Sequence, residues 1–357
     1  MKVCEISSGF VPKHGFDNDR ELVWINAMSS PFTIHGVFYD EKQGLFVRMP
    51  QDVADSARSE VTYLNRNTAG ARVRFRTNSK CLACYIVMFN DGETHHVYHN
   101  ENKIDLSQFD ENFGRETYAY SFASPNKVKE GYGGCFGATG EMKDYVFHLP
   151  ICCEIRAVYV GLSPDAVVEA PTPYKYEKPI VYYGSSITQG YCSSRPSNTY
   201  QAVIARHLDA DYVSLGFAGN AKGEASFFEY IGGLEMTAFV CDYDHNAPSP
   251  EHLQKTHLPI YRIFREKQPT TPIVFVSAPN IMPDYTWHIP RRDVIRSTYE
   301  TAKAEGDENV YFIDGESFFD IPDREMCTTD TCHPNDLGMY LMSQKIEPVI
   351  REILEKK

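Results

Sequence analysis

The chain has 357 residues, 42% hydrophobic and 23% charged, with 23 Tyr and 21 Phe, a composition that excludes a disordered or fibrous polymer. It carries 48 acidic against 35 basic residues, a net charge of -13 with no long basic block, which argues against nucleic acid or an anionic membrane surface as a partner and favours a neutral substrate. No run approaches the roughly 20 apolar residues of a membrane span, and Met1-Lys2-Val3-Cys4-Glu5-Ile6 offers no apolar signal core, so a cytoplasmic location is the expectation.

Residues from about 20 to 168 read as β-rich. Arg72-Val73-Arg74-Phe75-Arg76 alternates with period two, as a half-buried antiparallel strand does. Further strands are expected at Leu82–Met88, Tyr145–Leu149 and Ile155–Leu162, separated by turn clusters such as Asn90-Asp91-Gly92 and Gly131-Tyr132-Gly133-Gly134. Short strands with such turns imply an all-β sandwich or jelly roll over residues 1–170. The glycine cluster at Gly131 lacks the strand–helix setting of a nucleotide loop. Ten cysteines show no disulfide framework. Cys81 and Cys84 point to opposite faces of a strand, and Cys152-Cys153 reads as packing. His95, His96 and His99, beside Asp91 and Glu93, form the other metal-type cluster, and a solvated loop is the simpler reading; no metal is expected.

Composition then changes. Residues 171–179 contain three prolines and little apolar content, which marks an extended linker. From residue 180 to 357 strands and helices alternate, the pattern of a parallel sheet flanked by helices in three α/β/α layers. Strands are expected at Ile180–Tyr183, Asp211–Leu215, Thr237–Cys241, Pro272–Ser277 and Val310–Ile313. Helices are expected at Thr199–Leu208, Leu253–Lys267, Arg291–Glu305 and from Asp336 onwards, the last interrupted or kinked near Pro348.

In such a sheet the turns after the strands converge on one edge. The first holds Gly184-Ser185-Ser186, whose serines either cap the next helix or present a nucleophile. The second holds Gly219-Asn220, the third Asp242 to Ala247, and the last Asp330-Thr331-Cys332-His333-Pro334-Asn335-Asp336. Acyl transfer needs a nucleophile, a base, a group to orient the base and donors for an oxyanion. Ser186 suits the first role, and His333, with an ordinary pKa of about 6.5, the second. Asp330 can bend round to fix the imidazole tautomer. The Ser186 and Gly219 amides and the Asn246 side chain can supply the donors, with Asn220 as the rival amide. Asp242 and Asp244 read as caps of the following segment. Trp287 and His288, in the loop after the fourth strand, are candidates for shaping the substrate pocket.

Taken together, the four turns resemble the four blocks of the SGNH (GDSL-type) hydrolase superfamily over about residues 179–357. Asp330-x-x-His333-Pro334-Asn335-Asp336 is the most specific piece. Ser185 stands where the family usually has aspartate, and Asp244-His245-Asn246-Ala247 departs from the usual third block. Gly140 to Pro150 is similar to a strand motif of two-domain members that carry an N-terminal β-sandwich. The resemblance implies an SGNH hydrolase domain of α/β class over residues 180–357 and an esterase acting on acetylated carbohydrates, and it implies no cofactor. The expected partner is a small-molecule or oligosaccharide ester, with the oligomeric state open. A lipase or thioesterase using the same residues, and a carbohydrate-binding protein without turnover, are the alternatives.

Overall fold

The computed structural model describes residues 1–6, 10, 12, 21–89, 103–122, 131–281 and 286–356. Its chain divides into two compact units. The first comprises residues 1–48, 66–174 and 195–197, and the second 49–65, 175–194 and 198–357.

The first unit contains β1 (Val23–Asn26), β2 (Thr33–His35), β3 (Phe38–Asp40), β4 (Leu45–Val47), β5 (Arg72–Thr77), β6 (Cys81–Met88), β7 (Ile104–Asp110), β8 (Arg115–Phe122), β9 (Gly131–Gly137), β10 (Lys143–His148), β11 (Ile155–Leu162) and β12 (Val168–Glu169). Ten of them form two antiparallel sheets, ordered β1-β11-β6-β9 and β12-β5-β10-β7-β8 with β2 added beside β5, while β3 and β4 pair as a separate two-stranded ribbon. One core joins them: Leu82, Cys84, Ile86, Val158 and Val160 of the first sheet pack with Val73, Phe75, Leu106, Tyr145 and Phe147 of the second. The period-two pattern of β5 predicts arginines facing water, yet Arg72 and Arg74 are both buried. Arg74 lies 3.6 Å from the Tyr174 ring centroid and 3.6 Å from Glu116, so its charge is satisfied inside. The Gly131–Gly134 run, expected as a turn, is the start of β9, paired with β6. Cys84 faces the core while Cys81 lies against Cys135 of β9, sulfurs 2.7 Å apart. His95, His96, His99 and the Asn90-Asp91-Gly92 turn lie outside the described residues.

The second unit contains α1 (Gln51–Asp55) and α2 (Ser59–Leu64), then β13 (Tyr176–Gly184), α3 (Ser186–Gln189), α4 (Tyr200–Leu208), β14 (Ala210–Gly216), α5 (Ala225–Gly232), β15 (Ala238–Asp242), α6 (Pro250–Lys267), β16 (Ile273–Val276), α7 (Ile289–Ala304), β17 (Val310–Ile313) and α8 (Asp336–Glu355). The strands make a parallel sheet in the order β14-β13-β15-β16-β17. Alternate residues serve opposite layers, which is why these strands read as unbroken apolar runs. Val181, Tyr183, Phe239, Cys241, Ile273 and Phe275 meet α5, α6 and α7, whereas Ile180, Tyr182, Val240 and Val274 meet α4 and α8. Two expectations are corrected. The linker proposed over 171–179 ends early, because Tyr176 already pairs with Ala210 in β13. Helix α8 runs through Pro348 without interruption, since a missing N–H removes only one ladder bond from a helix of 20 residues whose other face is deeply packed.

Gly184 ends β13 between Gly216 of β14 and Asp242 of β15. A Cβ there would overlap the Asp242 carbonyl oxygen and Thr188 Oγ1. Gly184→Ala is therefore expected to cost about 1–3 kcal/mol by overpacking, read as a lower urea midpoint at unchanged m-value; an unaltered midpoint would contradict the packing argument.

Candidate active site

The order β14-β13-β15 means the chain leaves β13 in one direction and returns to its other side. Ligands in open α/β sheets bind at this reversal, beyond the carboxyl ends of the strands. Ser185 and Ser186 stand at that point, and the structure separates their roles. Ser185 is the N-cap of α3: its Oγ accepts from the Ile187 N–H (3.2 Å) and its own N–H donates to Asp242 O (3.1 Å). Ser186, the first residue of the helix, turns its hydroxyl the other way, donating to His333 Nε2 at 2.8 Å.

His333 Nδ1 lies 2.7 Å from Asp330 Oδ2. A carboxylate only accepts, so Nδ1 carries the ring proton and Nε2 is left to accept from Ser186. The bend that brings the aspartate back is built locally. Asp330 Oδ1 accepts the N–H of Cys332 (3.0 Å) and of His333 (2.7 Å), and Thr331 takes a left-handed φ of 62°. Desolvation opposes the charge on Asp330, but the hydrogen bonds from the His333 amide, the His333 ring and the Cys332 amide outweigh it and hold the carboxyl below its ordinary range. The rest of the motif anchors the loop. Asn335 caps α8 by accepting from the Leu337 and Gly338 amides, and Asp336 binds the N–H (2.8 Å) and Oγ (2.5 Å) of Ser194.

The donors face the same edge. Ser186, as the first residue of α3, has no intrahelical acceptor for its N–H. Gly219 has a left-handed φ of 69°, open space where a Cβ would stand, and an N–H without an acceptor among the described residues. Gln189 Oε1 fixes this turn to α3 by accepting from the Ala218 N–H (3.0 Å). Asn246 Oδ1 accepts from the Ala221 N–H at 3.3 Å, which orients the amide and leaves its NH2 as the donor. The rival Asn220 is committed elsewhere, donating to Ala218 O (2.9 Å) and accepting from Arg58 Nε (3.0 Å). Arg58 belongs to the 49–65 segment, so part of the N-terminal half secures this turn.

Trp287 and His288 separate. The Trp287 ring meets His245 edge-on at 4.9 Å, and His245 Nε2 in turn lies 3.3 Å from Cys332 Sγ, next to His333. Arg291 covers the Trp287 ring at 4.5 Å from its centroid. His288 is not brought into this group: it is buried, with Nε2 on Glu316 Oε2 at 2.9 Å. Sequence reasoning assigned nothing to His245, Cys332, Cys192 or Tyr191, whose ring is 5.9 Å from that of His333. Their only signal is adjacency to the four turns. Burial pushes His245 down to about 4, so the ring against the Cys332 sulfur is neutral.

The expectation that Asp242 and Asp244 cap the next segment is corrected. Both are buried at the end of β15. Asp242 Oδ2 bonds Thr188 Oγ1 in α3 (3.1 Å), and Asp244 Oδ2 accepts from the Ala278 N–H after β16 (2.9 Å). Burial, then the neighbouring Asp244 charge, push Asp242 up to about 8. Burial pushes Asp244 up to about 6 despite its hydrogen bonds to the Ala278 and His245 amides.

Residues 177–351 match the model of the GDSL-like lipase/acylhydrolase family, and residues 22–168 that of the N-terminus of SGNH-hydrolase-type esterases. No curated protein matches the chain. Among solved structures it is similar to a protein described as a GDSL-like lipase from Bacteroides ovatus, at 25% identity and TM-score 0.82, covering 94% of this chain and 98% of that one. A salicylyl-acyltransferase from a tetracycline biosynthetic pathway matches at 21% identity and TM-score 0.73, over 93% of this chain and 98% of that one. A family two carbohydrate esterase from Clostridium thermocellum, in complex with cellohexaose, matches at 15% and 0.59, over 80% and 93%. The last two likenesses speak to fold alone.

The raised pKa of Asp242 sets a pH dependence. Below the unfolded carboxylate pKa near 4 both states hold the proton. As pH rises towards about 8 the unfolded chain releases it and the folded one keeps it, so stability falls across that window by at most about 1.4 kcal/mol per pH unit. Asp242→Asn should flatten the decline of urea-unfolding free energy between about pH 5 and about pH 8. Parallel slopes in the two proteins would show that Asp242 is not held neutral.

Proposed function

The chain belongs, through residues 177–351, to the GDSL-like lipase/acylhydrolase family, and on that premise we propose that it is a serine esterase that removes small acyl groups, acetyl above all, from carbohydrates. One observation carries the reading. The Ser186 hydroxyl, the His333 imidazole and the Asp330 carboxylate stand in line at 2.8 and 2.7 Å, with the proton positions that acyl transfer requires.

In this reading Ser186 Oγ attacks the ester carbonyl while its proton passes to His333 Nε2. Asp330 stabilises the imidazolium and holds the ring in place. The developing oxyanion takes hydrogen bonds from the Ser186 and Gly219 amides and from the Asn246 side chain. The imidazolium then protonates the leaving alkoxide, and the acyl group stays on Ser186. Water, activated by the same imidazole, releases the acid and restores the hydroxyl. Two features support a neutral, hydrophilic ester substrate. The chain carries a net charge of -13, which disfavours anionic substrates, and no long apolar segment stands out to receive a fatty chain. The fold is shared with both a carbohydrate esterase and an acyltransferase, so the substrate must be argued from residues rather than architecture.

A fluorophosphonate probe is expected to label Ser186, and Ser186→Ala to lose aryl acetate hydrolysis by roughly 10³-fold or more. Unlabelled wild-type protein, together with unchanged hydrolysis in the variant, would overturn the proposal. Asn246→Ala should lower kcat by about 10²–10³-fold with little change in KM; a pure KM effect would remove Asn246 from the oxyanion site. In a chain-length series, activity peaking beyond butyryl would replace the acetylesterase reading with the lipase one.

A further inference from the structure

Cys192 has no part in the esterase mechanism, yet its sulfur lies with a His333 nitrogen and an Asp330 oxygen in a set of ligand atoms all within 4.8 Å of one another. The loop holds it there. Cys192 has a left-handed φ of 66°, unusual for a residue with a side chain. Ser193 Oγ donates to Gly190 O (2.7 Å) on one side, and Ser194 is clamped by the Asp336 carboxylate on the other. The imidazole and the carboxylate are fixed by their own hydrogen bonds, and the residues that follow Cys192 are anchored on both sides.

We propose that Cys192, His333 and Asp330 form an inhibitory site for a soft divalent cation, Zn²⁺ being the best match. The site rests on the esterase reading for its consequence but not for its existence. A thiolate, an imidazole and a carboxylate are a zinc donor set, and three protein ligands leave a fourth position for water. The thiolate selects zinc over calcium and magnesium, which take oxygen ligands. Binding balances simply: the Cys192 thiol gives its proton to solvent, the Zn–S bond forms, and nothing is oxidised or reduced.

The cation disables the base through either ring nitrogen. Bound at Nε2, it occupies the lone pair that would receive the Ser186 proton. Bound at Nδ1, it displaces the ring proton to Nε2, so the imidazole donates to Ser186 instead of accepting. Bound at Nδ1, the metal also takes the Asp330 oxygen that accepts the ring N–H in its absence. Zinc and acyl transfer are therefore mutually exclusive.

Zinc binding to the full-length protein, measured by competition with a chromophoric zinc indicator, should show one equivalent per chain. Cys192→Ala and Cys192→Ser should each weaken it at least tenfold, and Ser186→Ala should leave it intact. With Co²⁺ as substitute, the wild type and Ser186→Ala should show a thiolate-to-cobalt absorption that both Cys192 variants lack. Zn²⁺ should suppress aryl acetate hydrolysis reversibly on adding a chelator, and Cys192→Ala should hydrolyse at the wild-type rate while needing at least tenfold more zinc for inhibition. The proposal fails if the wild type binds no stoichiometric zinc, or if the Cys192 variants bind as tightly. It also fails if Cys332→Ala alone removes the site, which would move it to the Cys332–His245 pair. A protein without esterase activity that still loses zinc on Cys192 substitution would refute the function and keep the metal site.

Discussion

The reversal of the chain at β13 is the constraint on which the site depends. Because β13 pairs with β14 on one side and β15 on the other, no crossover covers its carboxyl end, and the residue that follows must fit between two neighbouring strand ends. Gly184 meets that demand, and the Ser185 N–H bond to Asp242 O aims the first turn of α3. The direction of the Ser186 hydroxyl is thus a consequence of sheet topology plus one cap, not of the serine itself.

What surrounds that hydroxyl follows from short-range bonding. Thr188 O accepts from Gln201 Nε2 at 2.6 Å and from Ser214 Oγ at 2.9 Å, while Thr188 Oγ1 bonds Asp242. Helix α3 is only four residues long, too short to be stable on its own propensity; these side chains from α4, β14 and β15 hold it. The buried, largely neutral Asp242 belongs to this support. A carboxyl was placed where its ionised form is penalised, and its hydrogen-bonding oxygens rather than its charge make the contact.

The sequence was legible where local chemistry and period agreed. The strands of the second unit are apolar on both faces, and their ends carry glycine, serine, asparagine and an Asp-x-x-His string whose function as a turn is written in adjacent residues. Ser186 lies at a capped helix start immediately beyond β13, and Asp330 and His333 lie in the loop that leads into capped α8. Long-range choices were not legible. Nothing local in Arg72-Val73-Arg74 reveals that Tyr174 and Glu116 will take in Arg74, and a glycine-rich run such as Gly131–Gly134 looks like a turn until β6 pairs with it. His288 looked like a pocket residue because its partner, Glu316, lies 28 positions away.

The domain boundary shows the same limit most clearly. Composition changes at the proline-rich 171–179 stretch, and a single cut there is the natural reading of the sequence. Residues 49–65 nevertheless pack in the second unit, with Val61 and Leu64 in the core that also holds Val181 and Phe217. Their contribution is directional as well as apolar. Arg58 reaches Asn220 Oδ1 and the Asn220 carbonyl and pairs with Glu224 at 2.5 Å, and Glu224 in turn accepts from Tyr183 OH at 2.8 Å. Asn220 follows Gly219, so the guanidinium braces the turn whose Gly219 amide is the proposed oxyanion donor. A protein cut at residue 170 would lose that brace and leave Glu224 without its cation. In this fold the hydrolase unit is therefore completed by residues encoded more than 100 positions before its sheet begins, and the site's geometry depends on residues 49–65 as well as on the sheet and its turns.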